Sequence, residues 1–145
     1  MLAFTLRGER GRWVTVAVRG YSRASSDAFE MNLLDCTVDV GHGGFRGAVD
    51  AVCTTMDLVD LIGELDAMIE GAGSVATFGT LESDLELRVD MGRTGHVMVT
   101  GTLRECEDHG PVLTFAFESD RGFLTNARFE LKQIVREVPV RAVGG

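Results

Sequence analysis

The amino-acid sequence predicts an α+β fold: a mostly antiparallel β-sheet of about seven or eight strands with two helices packed on it. Three observations carry that prediction. Residues 54–71 form one long amphipathic segment, in which Leu58, Leu61, Ile62, Leu65, Met68 and Ile69 recur at helical three-and-four spacing. Segments that alternate apolar and polar residues lie on both sides of it. A second helical pattern, from Leu124 through Ala127, Leu131, Ile134 and Val135 to Val138, comes near the end of the chain.

The elements follow in order. Leu2, Phe4 and Leu6 alternate with Ala3, Thr5 and Arg7; after a turn at Gly8–Gly11, Val14, Val16 and Val18 alternate with Trp13, Thr15, Ala17 and Arg19, which predicts a hairpin. The small and polar residues from Gly20 to Asp27 predict a loop. Leu34, Cys36, Val38 and Val40 share one strand face, with Asp35, Thr37 and Asp39 on the other. The chain turns at Gly41–Gly44, and Phe45, Val49, Ala51 and Cys53 lead back toward Thr54. Thr54 with Asp57 approximates a capping box, and Gly71 and Gly73 supply a stop. Gly63 lowers helix propensity by roughly 1 kcal/mol and suggests close packing against a strand.

The second half is a run of strands. Val75–Thr80 is short; Leu85, Leu87, Val89 and Met91 alternate with Asp84, Glu86, Arg88 and Asp90; Val97, Val99 and Leu103 face inward on the next strand; Leu113, Phe115 and Phe117 complete the last. Asp120 is a good N-cap for the closing helix. Phe129 falls off its stripe, as either an exposed contact residue or a sign of a partly extended segment; the helix is the expectation taken. No repeat with a period of about twenty to fifty residues is visible.

A length of 145 residues, 45% hydrophobic and 25% charged, fits a single soluble globular domain. Without a long apolar run or a signal peptide at the start, a cytoplasmic location is the default expectation. Fourteen basic residues against twenty-two acidic ones give a net charge of −8, which disfavours nucleic acid and anionic membranes as partners. The same charge favours a basic partner or serves solubility alone. Cys36, Cys53 and Cys106 are odd in number and widely spaced, so they read as reduced, mostly core thiols.

Catalytic signatures are scarce. Cys106-Glu107-Asp108-His109 offers two zinc-ligand types but needs His42, His96 or another cysteine from afar, and a polar hairpin loop explains it more simply. Three histidines permit a nucleophilic triad by count, yet no G-x-S-x-G elbow is present. The glycines of residues 41–47 imitate a phosphate loop, but a strand follows them instead of a helix, which favours a hairpin turn. The carboxylate groups Asp84/Glu86, Asp35/Asp39 and Asp57/Asp60/Glu64 fall on faces that alternation or helical spacing makes solvated. What remains is a surface: acidic side chains that could steer a basic protein, with Trp13, Tyr21, Phe29 or Phe129 as an aromatic anchor.

The order of elements adds a resemblance. Residues 27–34 open a strand pair, the helix follows, then Phe78-Gly79-Thr80-Leu81-Glu82-Ser83-Asp84-Leu85-Glu86-Leu87, Gly95–Gly101, Leu113-Thr114-Phe115-Ala116-Phe117-Glu118-Ser119-Asp120 and a closing helix. Over roughly residues 12 to 139 this resembles the WapI-type immunity proteins, which neutralise the toxic C-terminal domain of a polymorphic bacterial toxin. The chain departs from the family pattern at Asn32-Leu33, in place of an Asn-Trp pair, and at Asp120-Arg121, in place of an Asp-Gln pair. The resemblance implies stoichiometric occlusion of a toxin, without turnover and without a cofactor. On that reading the contact residues are Asp57, Asp60 and Glu64 first, Asp84 and Glu86 second, with Phe129 as an apolar contact. A small-ligand module or a homo-oligomeric structural protein is the alternative; an enzyme would need two histidines brought together in a cleft.

Overall fold

The computed structural model describes residues 2–105 and 110–142. Eight strands and two helices are present among them, in the order β1 (Leu2–Arg7), β2 (Trp13–Tyr21), β3 (Leu33–His42), β4 (Phe45–Thr54), α1 (Thr55–Ile69), β5 (Val75–Gly79), β6 (Leu85–Met91), β7 (Val97–Arg104), β8 (Val112–Ser119) and α2 (Arg121–Glu137). The α+β class, the strand count and both helices are as the sequence predicts.

The strands do not form one sheet. They divide into two antiparallel sheets of four, β1-β2-β3-β4 and β5-β6-β7-β8, each a meander of sequential neighbours. Alternation identifies the strands and their inward faces but carries no information about where a sheet ends, and the chain leaves β4 by way of α1 instead of pairing β4 with β5. The two inner faces and the helices share one continuous apolar cluster. Within it the rings of Phe4 on β1 and Phe78 on β5 meet edge to face at 5.7 Å between centroids.

Each helix packs chiefly on the first strand of the opposite sheet, α1 on β5 and α2 on β1, and the helices pack on one another. Asp66 of α1 fastens that contact by accepting from Arg128 Nη1 of α2 at 3.1 Å, with Lys132 Nζ at 3.7 Å. The molecule is therefore two ββββα units in pseudo-symmetric exchange. In the helices their spacing is 66 residues: Leu58, Leu61, Leu65 and Met68 answer to Leu124, Ala127, Leu131 and Ile134, and all eight are buried. A search for periods up to about fifty residues misses this repeat.

Both helix starts are as predicted. Thr54 and Asp57 form a full capping box, with the Thr54 hydroxyl accepting from the Asp57 amide at 3.1 Å and the Asp57 carboxylate accepting from the Thr54 amide at 3.0 Å. Asp120 accepts from the Phe123 amide at 2.8 Å. Gly71, at φ 81°, ends α1 in the left-handed region, which a glycine enters without steric penalty. Gly63 does not mark close packing: a Cβ there would meet open space. Gly101 does, because a Cβ would lie 2.6 Å from both the Phe115 ring and the Glu86 carbonyl oxygen.

Cys36 and Cys53 are buried on β3 and β4 with their sulfurs 3.1 Å apart. The hydrogen bond to Cys36 and burial push the Cys53 thiol up, away from the reactive thiolate. Gly43-Gly44 is a two-residue hairpin turn between the paired residues His42 and Phe45, as the hairpin reading of that glycine run predicts. Residues 106–109, which carry the cysteine-histidine zinc reading, lie outside the described residues.

Candidate partner-binding surface

The carboxylates singled out in the sequence occupy different environments. Asp57 is half-buried, with one oxygen engaged in the capping box. Asp60, on the next turn, is exposed. Glu64 accepts from the Thr77 amide of β5 at 3.0 Å, so it closes one edge of the second sheet. Its counterpart 66 residues on, Glu130, accepts from the Thr5 amide of β1 at 3.1 Å and does the same for the first sheet. These are two structural glutamates that patterning alone assigns to a solvated face.

Asp84 departs from expectation. Alternation through Leu85, Leu87 and Val89 places it on the outer face, yet it precedes β6, in the turn after Thr80, and is only 8% exposed. Its carboxylate lies 3.4 Å from the Thr80 hydroxyl, and that hydroxyl in turn accepts from the Leu85 amide at 3.0 Å. A turn residue does not obey the strand's period, and here the chain folds the carboxylate inward. Glu86, two residues on, is exposed on the outer face of the second sheet, in a depression of about 840 Å³ shared with Arg88, Thr100, Thr114 and His42. Phe129 is 64% exposed, as a contact residue would be, and α2 is helical through it. It shares a shallow depression with Thr5, Arg7, Phe123, Asn126 and Glu130, none of which comes from α1.

The predicted residues therefore do not converge on one patch. A second acidic region does converge, and sequence reading passed over it. A groove of about 680 Å³ runs along β4 from Ala48 to Val52, walled by Leu81, Glu82 and Asp84 of the β5–β6 turn and by Glu105 after β7, with Asp35 and Arg19 at its side. Five of its lining residues are acidic and one is basic. Arg19 donates from Nη1 to Asp50 at 3.1 Å and to Thr37 at 3.0 Å, and Ser22 donates to Asp35 at 2.7 Å. The signal that could have found it is weak: Asp35 and Asp50 sit on outward strand positions, but only the topology shows that β4 is an edge.

Histidines do not assemble a catalytic cleft among the described residues. His42 Nε2 lies 2.7 Å from the Ala116 carbonyl oxygen, and His96 Nε2 lies 3.4 Å from a Glu118 carboxylate oxygen. No group of three His, Cys, Asp or Glu side chains among the described residues is placed to hold a metal ion. No helix among them is long and apolar enough to cross a membrane.

Comparison with solved structures finds the same fold in a chain of the crystal structures of Trypanosoma bruciei MRP1/MRP2. The two align with a TM-score of 0.50 at 10% identity, over 94% of this chain and 84% of that one. At that identity the likeness concerns the fold alone. Comparison with curated proteins finds no match. The model of the immunity protein WapI-like family matches residues 5–139, from β1 to just beyond α2, so that all but the extreme ends of both ββββα units fall within it. The chain belongs to the WapI-like immunity protein family.

Proposed function

We propose that this protein neutralises a toxin domain by binding it stoichiometrically and covering its active site, with no turnover and no cofactor. The observation that carries this reading is the family match over residues 5–139. The net charge of −8 supports a basic toxin, since a nuclease, for example, must be basic to hold nucleic acid. Asp60 and Glu86 are exposed carboxylates able to steer such a partner, and Asp57 and Glu64 each use one oxygen internally while adding to the same negative field. Asp84 contributes its charge from beneath the surface, and Phe129 offers an apolar contact on α2.

Affinity capture with the full chain in its native host, followed by mass spectrometry, tests the reading. Recovery of a basic toxin fragment whose toxicity the chain abolishes is the expected result; recovery of the chain alone, as a self-associated species, would overturn it. The assignment of the α1 carboxylates has its own test. Reversing Asp57, Asp60 and Glu64 to lysine should weaken capture, and unchanged capture by a folded variant would remove them from the interface.

A further inference from the structure

The two sheets present four outer edges, and three of them carry side chains on their backbone groups. Glu130 takes the Thr5 amide on β1, Glu64 takes the Thr77 amide on β5, and His42 sits on the Ala116 carbonyl of β8. On β4, among the described residues, the contact is backbone to backbone: the Leu81 amide donates to the Val52 carbonyl at 2.7 Å. That bond fixes which groups point outward. Val52 directs its carbonyl away from β3, and the β3–β4 register runs from Leu33/Thr54 to His42/Phe45 without a slip. By the two-residue period of an antiparallel ladder, Asp50, Ala48 and Arg46 direct their N–H and C=O groups the same way.

These groups open onto the acidic groove described above. Short of the Val52 carbonyl that Leu81 occupies, its β4 side runs from Ala48 to Ala51, about 14 Å of extended chain, enough for a short strand to lie against. Its lining of Asp35, Asp50, Glu82, Asp84 and Glu105 against Arg19 selects for positive charge. Leu81, exposed on the opposite wall, supplies an apolar contact. The β8 edge differs in charge balance as well as in access, because Arg10 and Arg12 offset Glu9 and Glu118 in the depression beside it.

We propose that the outward edge of β4, at Ala48 and Asp50, receives an extended, basic segment of the partner protein, which adds to the first sheet as a fifth strand. Backbone bonds from Ala48 and Asp50 supply affinity, and the carboxylates of the groove choose the sequence. A second copy of this chain is the poorer occupant, since it would bring the same carboxylates together in a protein of net charge −8. That the strand belongs to a toxin rests on the immunity reading; the edge and its charge do not.

The test uses the full chain and a synthetic hexapeptide, acetyl-Lys-Val-Lys-Val-Lys-Val-amide, with a glutamate-for-lysine hexapeptide as control. Binding is followed by isothermal titration calorimetry, and amide exchange is followed by NMR. The basic peptide should bind saturably and more weakly as salt rises, and the Ala48 and Asp50 amides should exchange at least about tenfold more slowly in its presence. Ala48→Pro should abolish binding, because it removes the outward amide at a position where an edge strand tolerates proline. Should that variant not fold, Asp50→Lys serves, with an expected loss of at least about tenfold in affinity at low salt and only a small drop in melting temperature from the loss of the exposed Arg19 bond. Equal binding of the acidic peptide, protection confined to other amides, or full binding by a folded Ala48→Pro variant would overturn the proposal. Protection of Ala48 and Asp50 in the peptide-free chain together with a dimeric mass would also overturn it, in favour of a second copy. The two readings fail separately. Peptide binding without capture of any toxin removes the immunity reading and leaves the groove, whereas capture of a toxin undiminished by Ala48→Pro removes the groove and leaves the immunity reading.

Discussion

The helices of the two ββββα units keep the same buried positions and differ on their surfaces. In α1 and α2 the four pairs of core residues, the capping residue at the start and the edge-closing glutamate all recur 66 residues apart. Outside those positions the helices diverge. The helix α1 carries Asp57, Asp60, Glu64 and Asp66 with no lysine or arginine, while α2 carries Arg121, Arg128, Lys132 and Arg136 beside Glu130 and Glu137. Gly63 of α1 answers to Phe129 of α2, and both face solvent. Packing and edge closure are what the fold needs twice; charge and exposed apolar contacts are free to specialise, and the specialised positions are where a partner is to be sought.

The strongest challenge to that equivalence is at the shared core. Leu65→Ala and Leu131→Ala should each lower unfolding free energy by about 2–5 kcal/mol, measured by chemical denaturation, since both side chains are fully buried. A loss under about 1 kcal/mol at one of them would show that the two units are not packed alike. The edge glutamates should separate the units instead. Glu130→Ala should cost about 1–2 kcal/mol and Glu64→Ala less than about 1 kcal/mol, because the Glu130 bond is partly buried and the Glu64 bond is exposed. Amide exchange at Thr5 and Thr77 reads the same difference residue by residue.

Smaller effects sharpen the comparison further. Thr54→Ala and Asp120→Ala should each cost about 1 kcal/mol, since each removes the side-chain acceptor of one first-turn amide, that of Asp57 in α1 and that of Phe123 in α2. Gly63→Ala should raise stability by up to about 1 kcal/mol, since the added methyl meets nothing, and a destabilised variant would mean that α1 is packed more tightly there than α2 is at Phe129. Cys36 and Cys53 should resist iodoacetamide in the folded chain and react on unfolding; fast native labelling would contradict their burial.

Much of this fold is legible in the sequence, because its strands are wet on one face and its helices bury one stripe. The alternation of Leu85, Leu87 and Val89 and the Thr54–Asp57 capping box need no tertiary information. The division into two sheets does need it, since a period names a residue's face and not the neighbour across from it. The site is less legible for the same reason. Asp84 lies one residue before β6 and turns inward to Thr80, Glu64 answers an amide thirteen residues away, and Asp50 becomes part of a groove only because β4 is an edge.

The most direct test of the account is isothermal titration of the full chain into the captured toxin domain, with toxicity measured on the same samples. One-to-one binding that abolishes toxicity at one equivalent is the result predicted. Toxicity that persists at saturation, or a chain that only associates with itself, would contradict it.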